Sequence, residues 1–361
     1  MKALLTPLLL LVVLLFGMTL SIVTPEKDIS EYERRSLKSF PEPTIEKIFD
    51  SDYYQEIEAY LLDQFVGRQK LREINTLTRY YLFNQLDVND TFVIDDILFQ
   101  KNNPLDESSV KHAADLIQSY QQQYFSENDV YYGVLPDKNY FIPEDGYYPR
   151  KDYEELKDIL EERLQGITNV PLSEQIDLDH FYRTDHHLDQ SRLTGLETYL
   201  YDSLGVEVNP PNDYDTTCHS PFYGSYYGHA ALPLEADTLC YVENGTIESA
   251  YVTRPGSEEQ YPIYEESSLE GIDAYEVFLG GLDPIRHVHS PEAQTEKELI
   301  IFGDSFANSI VPLLLDGYET ITMIDLRYAS ETAFETHVDV EDQDVMFLYS
   351  TMILNDAWAL D

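Results

Sequence analysis

The chain has 361 residues, enough for one large or two modest domains, and 43% of them are hydrophobic, which excludes a disordered body. Its 67 acidic residues face 23 basic ones, a formal net charge of -44. Such a surface repels nucleic acid and anionic head groups, so overall charge excludes either as an electrostatic partner.

Residues 3–23 form an uncharged apolar stretch close to the ~20 residues that span a bilayer. Lys2 precedes the stretch and acidic residues dominate after it, an asymmetry that keeps the N-terminus inside and exports the rest. No clear small-x-small cleavage site follows, so residues 1–24 read as an uncleaved signal anchor, with a cleaved signal peptide as the alternative. Residues 25–50 resemble a tether, and 51–361 form the exported domain.

From Asp52 to Phe83, Ile57, Tyr60, Leu61, Phe65, Leu71, Ile74, Leu77 and Tyr81 recur at helical spacing and predict one or two amphipathic helices. A strand pair is expected from Thr91 to Leu98, turning at Asp95-Asp96. A helix follows from Ser108 to Phe125, then a buried strand from Val130 to Leu135 ending at Pro136-Asp137-Lys138. A second helix, Lys151 to Leu164, precedes a short strand near Val170, a turn at Asp185 to His187, and a helix from Asp189 to Leu204. Residues 209–237, rich in Pro, Gly, Tyr and Asp, read as a structured loop. Strands are expected around Tyr241 and from Ala250 to Thr253. Cys218 and Cys240 either pair or remain free thiols, and their spacing fits no zinc motif.

The final third alternates: strand Leu299–Phe302, helix Ala307–Leu315, strand Thr320–Ile324 and strand Val345–Tyr349. Apolar strands alternating with helices imply an α/β fold with a parallel sheet, whose sites lie at the carboxyl ends of strands. Gly303-Asp304-Ser305-Phe306 stands at such an end. A serine on a sharp strand-to-helix turn points outward with its N–H at the positive end of the helix, which suits a nucleophile. The alternative is a helix-capping serine bonded to its own helix.

Upstream, Thr184-Asp185-His186-His187 offers a base and its orienter. On an extended turn, alternate residues share a side, so His187 is expected as base and Asp185 as orienter, with His186 facing away. A metal reading would gather His180, Asp185, His186, His187 and Asp189 as ligands. The further motifs it needs are missing, Gly228-His229-Ala230-Ala231 being a poor echo of one, so no metal or cofactor is expected. Tyr223, Tyr226 and Tyr227, among 29 tyrosines, could stack on sugar faces or simply pack.

At these residues the chain resembles the bacterial DHHW family, and beyond it the SGNH/GDSL-like proteins that O-acetylate alginate. The resemblance runs in order through Glu31-Tyr32-Glu33-Arg34-Arg35, Asp63-Gln64-Phe65 with Arg68, and Pro136-Asp137-Lys138. It continues through Tyr182-Arg183-Thr184-Asp185-His186-His187, Phe222-Tyr223-Gly224-Ser225, Gly303 to Ser309, Ile324-Asp325-Leu326-Arg327-Tyr328 and Phe347-Leu348-Tyr349. The signature's tryptophan is Leu188 here, and no group needed for proton transfer is lost.

The resemblance implies an SGNH-like three-layer fold with a central, mostly parallel sheet, and a triad of Ser305, His187 and Asp185. The Ser305 N–H, helped by the Gly224 loop or Asn308, would bind the oxyanion, with Arg327 and Tyr223 as further candidate substrate contacts. It implies work at the outer face of the membrane on a cell-surface or secreted polysaccharide, with acyl groups supplied by a membrane-bound O-acyltransferase. The alternatives are a polysaccharide acetylesterase with the same triad and a non-catalytic polysaccharide-binding or assembly protein.

Overall fold

The structure is a computed structural model that describes residues 12, 16–17, 19–21, 23–30, 32–85, 87–101, 104–143, 146–148, 150–211 and 213–360. Most of the expected anchor lies outside the described residues, and among those described no helix is long and apolar enough to cross a membrane. Contacts divide the chain into two units, Met1–Val93 with Ser225–Glu235, and Ile94–Gly224 with Ala236–Asp361.

The larger unit is built on eight strands. In chain order these are β1 (Val130–Leu135) and β2 (Thr168–Val170); then, after a hairpin of β3 (Asp215–Phe222) and β4 (Asp237–Glu243), they are β5 (Tyr251–Thr253), β6 (Tyr261–Pro262), β7 (Ile285–His289), β8 (Glu298–Gly303), β9 (Thr320–Ile324) and β10 (Asp344–Ser350). Their order across the sheet is β6-β5-β7-β9-β8-β10-β1-β2. Strands β9, β8, β10, β1 and β2 run parallel, while β6, β5 and β7 add an antiparallel edge. The sheet is therefore mostly parallel, as expected.

Alternation along β8 builds the layers, because successive side chains point to opposite faces. Leu299 and Ile301 join a core with Phe306 to Leu315 and the β3–β4 hairpin, while Ile300 and Phe302 join a second core. Helices α1 (Glu107–Tyr124), α2 (Tyr153–Arg163) and α4 (Glu331–His337) cover that second face, and α3 (Leu196–Leu204) lies on the first. In α1, Val110, Ala113, Ala114, Ile117 and Tyr120 are buried at helical spacing, and Asp106 caps the first turn by accepting from the N–H groups of Ser108 and Ser109. Each buried Leu, Ile or Phe of these cores contributes about 1.5–3 kcal/mol.

Three expectations need correction. The helix expected from Ala307 to Leu315 is two 3-10 turns, Ala307–Ser309 and Val311–Leu314. Pro312 lacks an N–H, and its ring excludes the carbonyl of Asn308, four residues back, from helical geometry. The helix expected from Asp189 is a single turn, Gln190–Arg192, and then α3, because Gly195 adopts a left-handed φ of 103° between them. The loop expected over 209–237 contains β3, which is exposed on both faces apart from half-buried His219 and buried Phe222 and so shows no alternation. Cys218 and Cys240 face each other in the β3–β4 register and form a disulfide.

In the smaller unit, helices Ser51–Asp63 and Arg68–Leu77 meet at Gly67, which has a φ of 81°. The second continues as a π turn, Thr78–Leu82. Glu33 pairs with Arg68 and Arg72, and Arg35 with Asp63. The short helix Ser225–Ala230 joins them through Gly228, whose carbonyl accepts from Arg72 at 2.8 Å. A Cβ on Gly228 would stand 2.0 Å from the Tyr32 carbonyl oxygen, so this approach requires glycine.

Candidate active site

Strand β8 delivers the serine. At its end, a Cβ on Gly303 would lie 2.9 Å from the Leu348 carbonyl oxygen, so the turn begins on glycine. Buried Asp304 then braces the turn: one carboxylate oxygen accepts from Phe306 N–H at 2.9 Å and the other from Ser350 N–H at 3.0 Å. Burial pushes the Asp304 carboxyl up in pKa, against these hydrogen bonds and the charge of Arg327. Ser305, half-buried, is projected from this braced corner.

Ser305 Oγ lies 2.8 Å from His187 Nε2, and His187 Nδ1 lies 2.7 Å from Asp185 Oδ1. The three residues named from sequence thus meet in one relay, with Asp185 wholly buried and His187 nearly so. The same Asp185 oxygen accepts from the His187 backbone N–H at 2.9 Å. That bond closes the chain into a tight bend, and the expectation that His186 faces away fails as a result. Its ring lies 3.8 Å from the His187 ring, and its Nδ1 is 3.5 Å from Asp185 Oδ1. Tyr275 stacks on His187 at 3.8 Å and 6°, while Phe306 flanks it at 5.3 Å. Leu188 is fully buried.

The segment carrying the dyad is held from three sides. Asp237 accepts from Arg183 N–H at 3.0 Å, from Thr184 N–H at 2.7 Å and from the Thr184 hydroxyl at 2.5 Å. Thr184 Oγ1 in turn accepts from Gly224 N–H at 3.0 Å. The Gly224 N–H is therefore engaged behind the dyad and does not face an oxyanion. Glycine is required there for another reason: a Cβ would sit 2.4 Å from both the Asp185 N and Cβ atoms. Its neighbour Tyr223 is half-buried.

On the third side, Lys138 donates to the carbonyls of Leu98 (3.0 Å) and Arg183 (3.2 Å). Burial pushes the Lys138 ammonium down to about 7, opposed by the charges of Asp185 and Asp237. Below pH 7 this lysine is charged in folded and unfolded chains alike, and the full cost of burying it is present. Between about 7 and 10, the unfolded chain holds a proton that the folded one has released, so stability rises with pH. Urea unfolding at pH 7, 8 and 9 is expected to show the wild type gaining on Lys138→Met by on the order of 1 kcal/mol per pH unit. Equal pH slopes for the two proteins would contradict this.

Among the described residues, two donors near the serine in sequence have no protein hydrogen-bond partner: the Ser305 N–H and the Asn308 side-chain Nδ2. Asn308 lies one 3-10 turn after the serine, its N–H bonded to the Ser305 carbonyl at 3.3 Å. Its Oδ1 accepts from Arg286 Nη2 at 3.0 Å, which fixes the amide so that Nδ2 points away from the guanidinium. Arg286 is itself buried, held by the Gly281 carbonyl at 2.7 Å, and burial pushes its pKa down to about 10. Replacing Asn308 by Asp keeps an oxygen for Arg286 but removes the N–H donor. That variant is expected to fold and to lose about 10²–10³ in kcat, checked by ester turnover beside a thermal melt. Retained turnover would assign Asn308 a packing role.

Arg327 is committed locally, its Nε and Nη2 on Asp325 at 2.9 and 2.6 Å. The wider metal cluster does not assemble. His180 bonds Asp177, and Asp189 bonds Ser191 and Arg192. Among the described residues, the donor atoms of Asp185, His186 and His187 come within 4.8 Å of one another, so an ion there would compete with Ser305 for His187. Sequence reasoning missed Tyr275, Asp237 and Arg286, none of which stands in a local motif.

No protein-family model and no curated protein sequence matches the chain. Its fold does match solved structures. A DHHW family protein from Eubacterium siraeum superposes with a TM-score of 0.63 at 19% identity, over 76% of this chain and 95% of that one. Bacillus cereus PatB1, in a structure with a sulfonyl adduct, gives 0.58 at 18% identity, over 75% and 96%. The fold is therefore that of a DHHW family protein, as the ordered motifs implied.

Proposed function

We propose that this chain is a serine acyl-transfer enzyme that O-acetylates a cell-surface or secreted polysaccharide. The observation that carries the reading is the Ser305–His187–Asp185 relay, with contacts of 2.8 and 2.7 Å. His187 Nε2 takes the Ser305 proton as Oγ bonds to the acyl carbon of the donor. Asp185 holds the proton on Nδ1 and stabilises the imidazolium. The Ser305 N–H and Asn308 Nδ2 receive the negative charge that develops on the carbonyl oxygen. The leaving group departs with the proton from His187, leaving an acyl-serine. A sugar hydroxyl, deprotonated by His187, then attacks that ester and frees Ser305.

Sulfonyl groups form stable adducts with activated nucleophiles, and the sulfonyl adduct on PatB1, a protein of this fold, supports a nucleophile in such a framework. We place the domain outside the membrane, held by residues 3–23 and supplied with acyl groups by a membrane-bound O-acyltransferase. The relay uses the chain's own groups throughout.

Transfer and hydrolysis differ in the acceptor that reaches the acyl-serine. The test incubates the protein with p-nitrophenyl acetate and graded oligosaccharide acceptors, and measures acetylated sugar against free acetate. Acetylated sugar rising with acceptor concentration is expected. Free acetate alone at saturating acceptor would make the protein an esterase, and no turnover of the ester would leave a binding role.

A further inference from the structure

Of the 23 large apolar side chains exposed among the described residues, 18 lie between Val12 and Phe83, so the apolar surface is concentrated at one end of the chain. Scattered single exposures need no explanation, but a cluster of this kind marks a surface that meets another phase. Five of them fall on the helix Arg68–Leu77 and the turn that continues it to Phe83.

That helix is inverted. Its buried residue is Thr76, and Arg72 and Glu73 are half-buried, with Arg72 turned onto Glu33 and the Gly228 carbonyl. Leu71 and Ile74, three apart on one face, are 53% and 58% exposed. Tyr81, Leu82 and Phe83 follow at 76%, 73% and 70%. A helix that turns Arg72, Glu73 and Thr76 inward and exposes Leu71 and Ile74, with Leu77 half-buried, is not using its main apolar face to cover the core of its own unit.

We infer that the segment Arg68–Phe83 lies in the interface of a phospholipid bilayer, with Leu71, Ile74, Leu82 and Phe83 among the acyl chains and Lys70 and Arg79 at the phosphates. Two observations select the lipid. First, the chain path places the segment there. The Val66 N–H, two residues before the helix, donates to Ser21 Oγ at 2.9 Å, and a Cβ on Gly17 would meet the Phe65 ring at 2.5 Å. The helix therefore starts beside the end of the apolar stretch 3–23. Second, the charge fits. Between Phe65 and Phe83, Arg68, Lys70, Arg72 and Arg79 outnumber the single acid Glu73, in a chain whose overall charge is -44. Lys70 and Arg79 are exposed, placed to snorkel beside the apolar face. Tyr81 adds the amphipathic ring typical of that depth.

The inference rests on the anchor assigned under the proposed function, and the experiment separates the two. Both native cysteines are bonded, so Leu82→Cys introduces a unique thiol for a nitrobenzoxadiazole probe on the full chain. Tyr147→Cys, at a residue 84% exposed in the other unit, serves as the comparison. Both proteins are reconstituted into phosphatidylcholine vesicles and floated. The probe at 82 is expected to emit further to the blue and to be quenched several-fold more by doxyl-labelled lipid than the probe at 147. Lys70→Glu with Arg79→Glu should reduce that difference. Floated protein with equal quenching at both positions overturns the interfacial helix and leaves the anchor intact, whereas failure to float overturns the anchor and this inference with it. A blue shift at 82 that grows with protein concentration without lipid assigns the surface to a second copy instead.

Discussion

Ser305→Ala is expected to abolish turnover of an acetyl ester, by on the order of 10⁴ or more in kcat, while the melting temperature stays near that of the wild type. The side chain is half-buried, and its Oγ makes a single side-chain bond, to His187 Nε2, so its removal costs one neutral hydrogen bond and leaves the backbone of the turn as it was. The brace of the turn is the Asp304 carboxylate, bonded to the Phe306 and Ser350 N–H groups, and it is untouched by the substitution. The loss thus isolates chemistry from folding. Turnover within tenfold of the wild type would mean that another group forms the acyl-enzyme, or that none forms.

A second large loss is expected from Asp185→Asn, about 10⁴ in kcat, for a reason specific to this bend. Asp185 Oδ1 accepts from both the His187 N–H and Nδ1. An asparagine of the same shape can keep both bonds with its carbonyl oxygen, so the turn persists, but its neutral amide no longer stabilises the imidazolium. With the amide reversed, its nitrogen donates towards Nδ1 rather than accepting, and the imidazole proton shifts to Nε2. A protonated Nε2 cannot take the serine proton. The two variants should therefore share a fold and a defect but differ in labelling. A fluorophosphonate probe should fail on Ser305→Ala outright and react slowly with Asp185→Asn. Wild-type rates for Asp185→Asn would remove the orienting role.

The parts of the site legible in sequence were those written in local patterns. Ser305 followed from an apolar strand, a glycine and a turn, and Asp185 with His187 from two side chains spaced for one bond. The sheet was legible because β8 and β10 carry apolar residues on both faces, as central parallel strands do, and β9 is short and β-branched. What was not legible depends on contacts between distant segments. Arg286 stands on β7, 22 residues before the Asn308 amide it orients, and reads in sequence as an ordinary strand residue. Asp237, 53 residues after Thr184, reads as a loop acid. Tyr275 follows no pattern at all.

The remaining differences have local causes. An extended 185–187 would put His186 on the far side, whereas the Asp185 carboxylate folds the bend around its own chain. A helix from Ala307 to Leu315 would have to run through Pro312, the residue that best excludes one. With 3-10 turns in its place, little helix dipole reaches the serine, so the proposed oxyanion stabilisation rests on the Ser305 N–H and the Asn308 amide.

The central claim is that Ser305 carries the acyl group, and intact-protein mass spectrometry with peptide mapping tests it most directly. After brief exposure to p-nitrophenyl acetate and acid quenching, one acetyl group is predicted on the peptide containing Ser305. It should be absent from Ser305→Ala, and it should disappear from the wild type when a polysaccharide acceptor is added before quenching. Acetylation confined to other residues, or equal labelling of wild type and Ser305→Ala, would contradict the account.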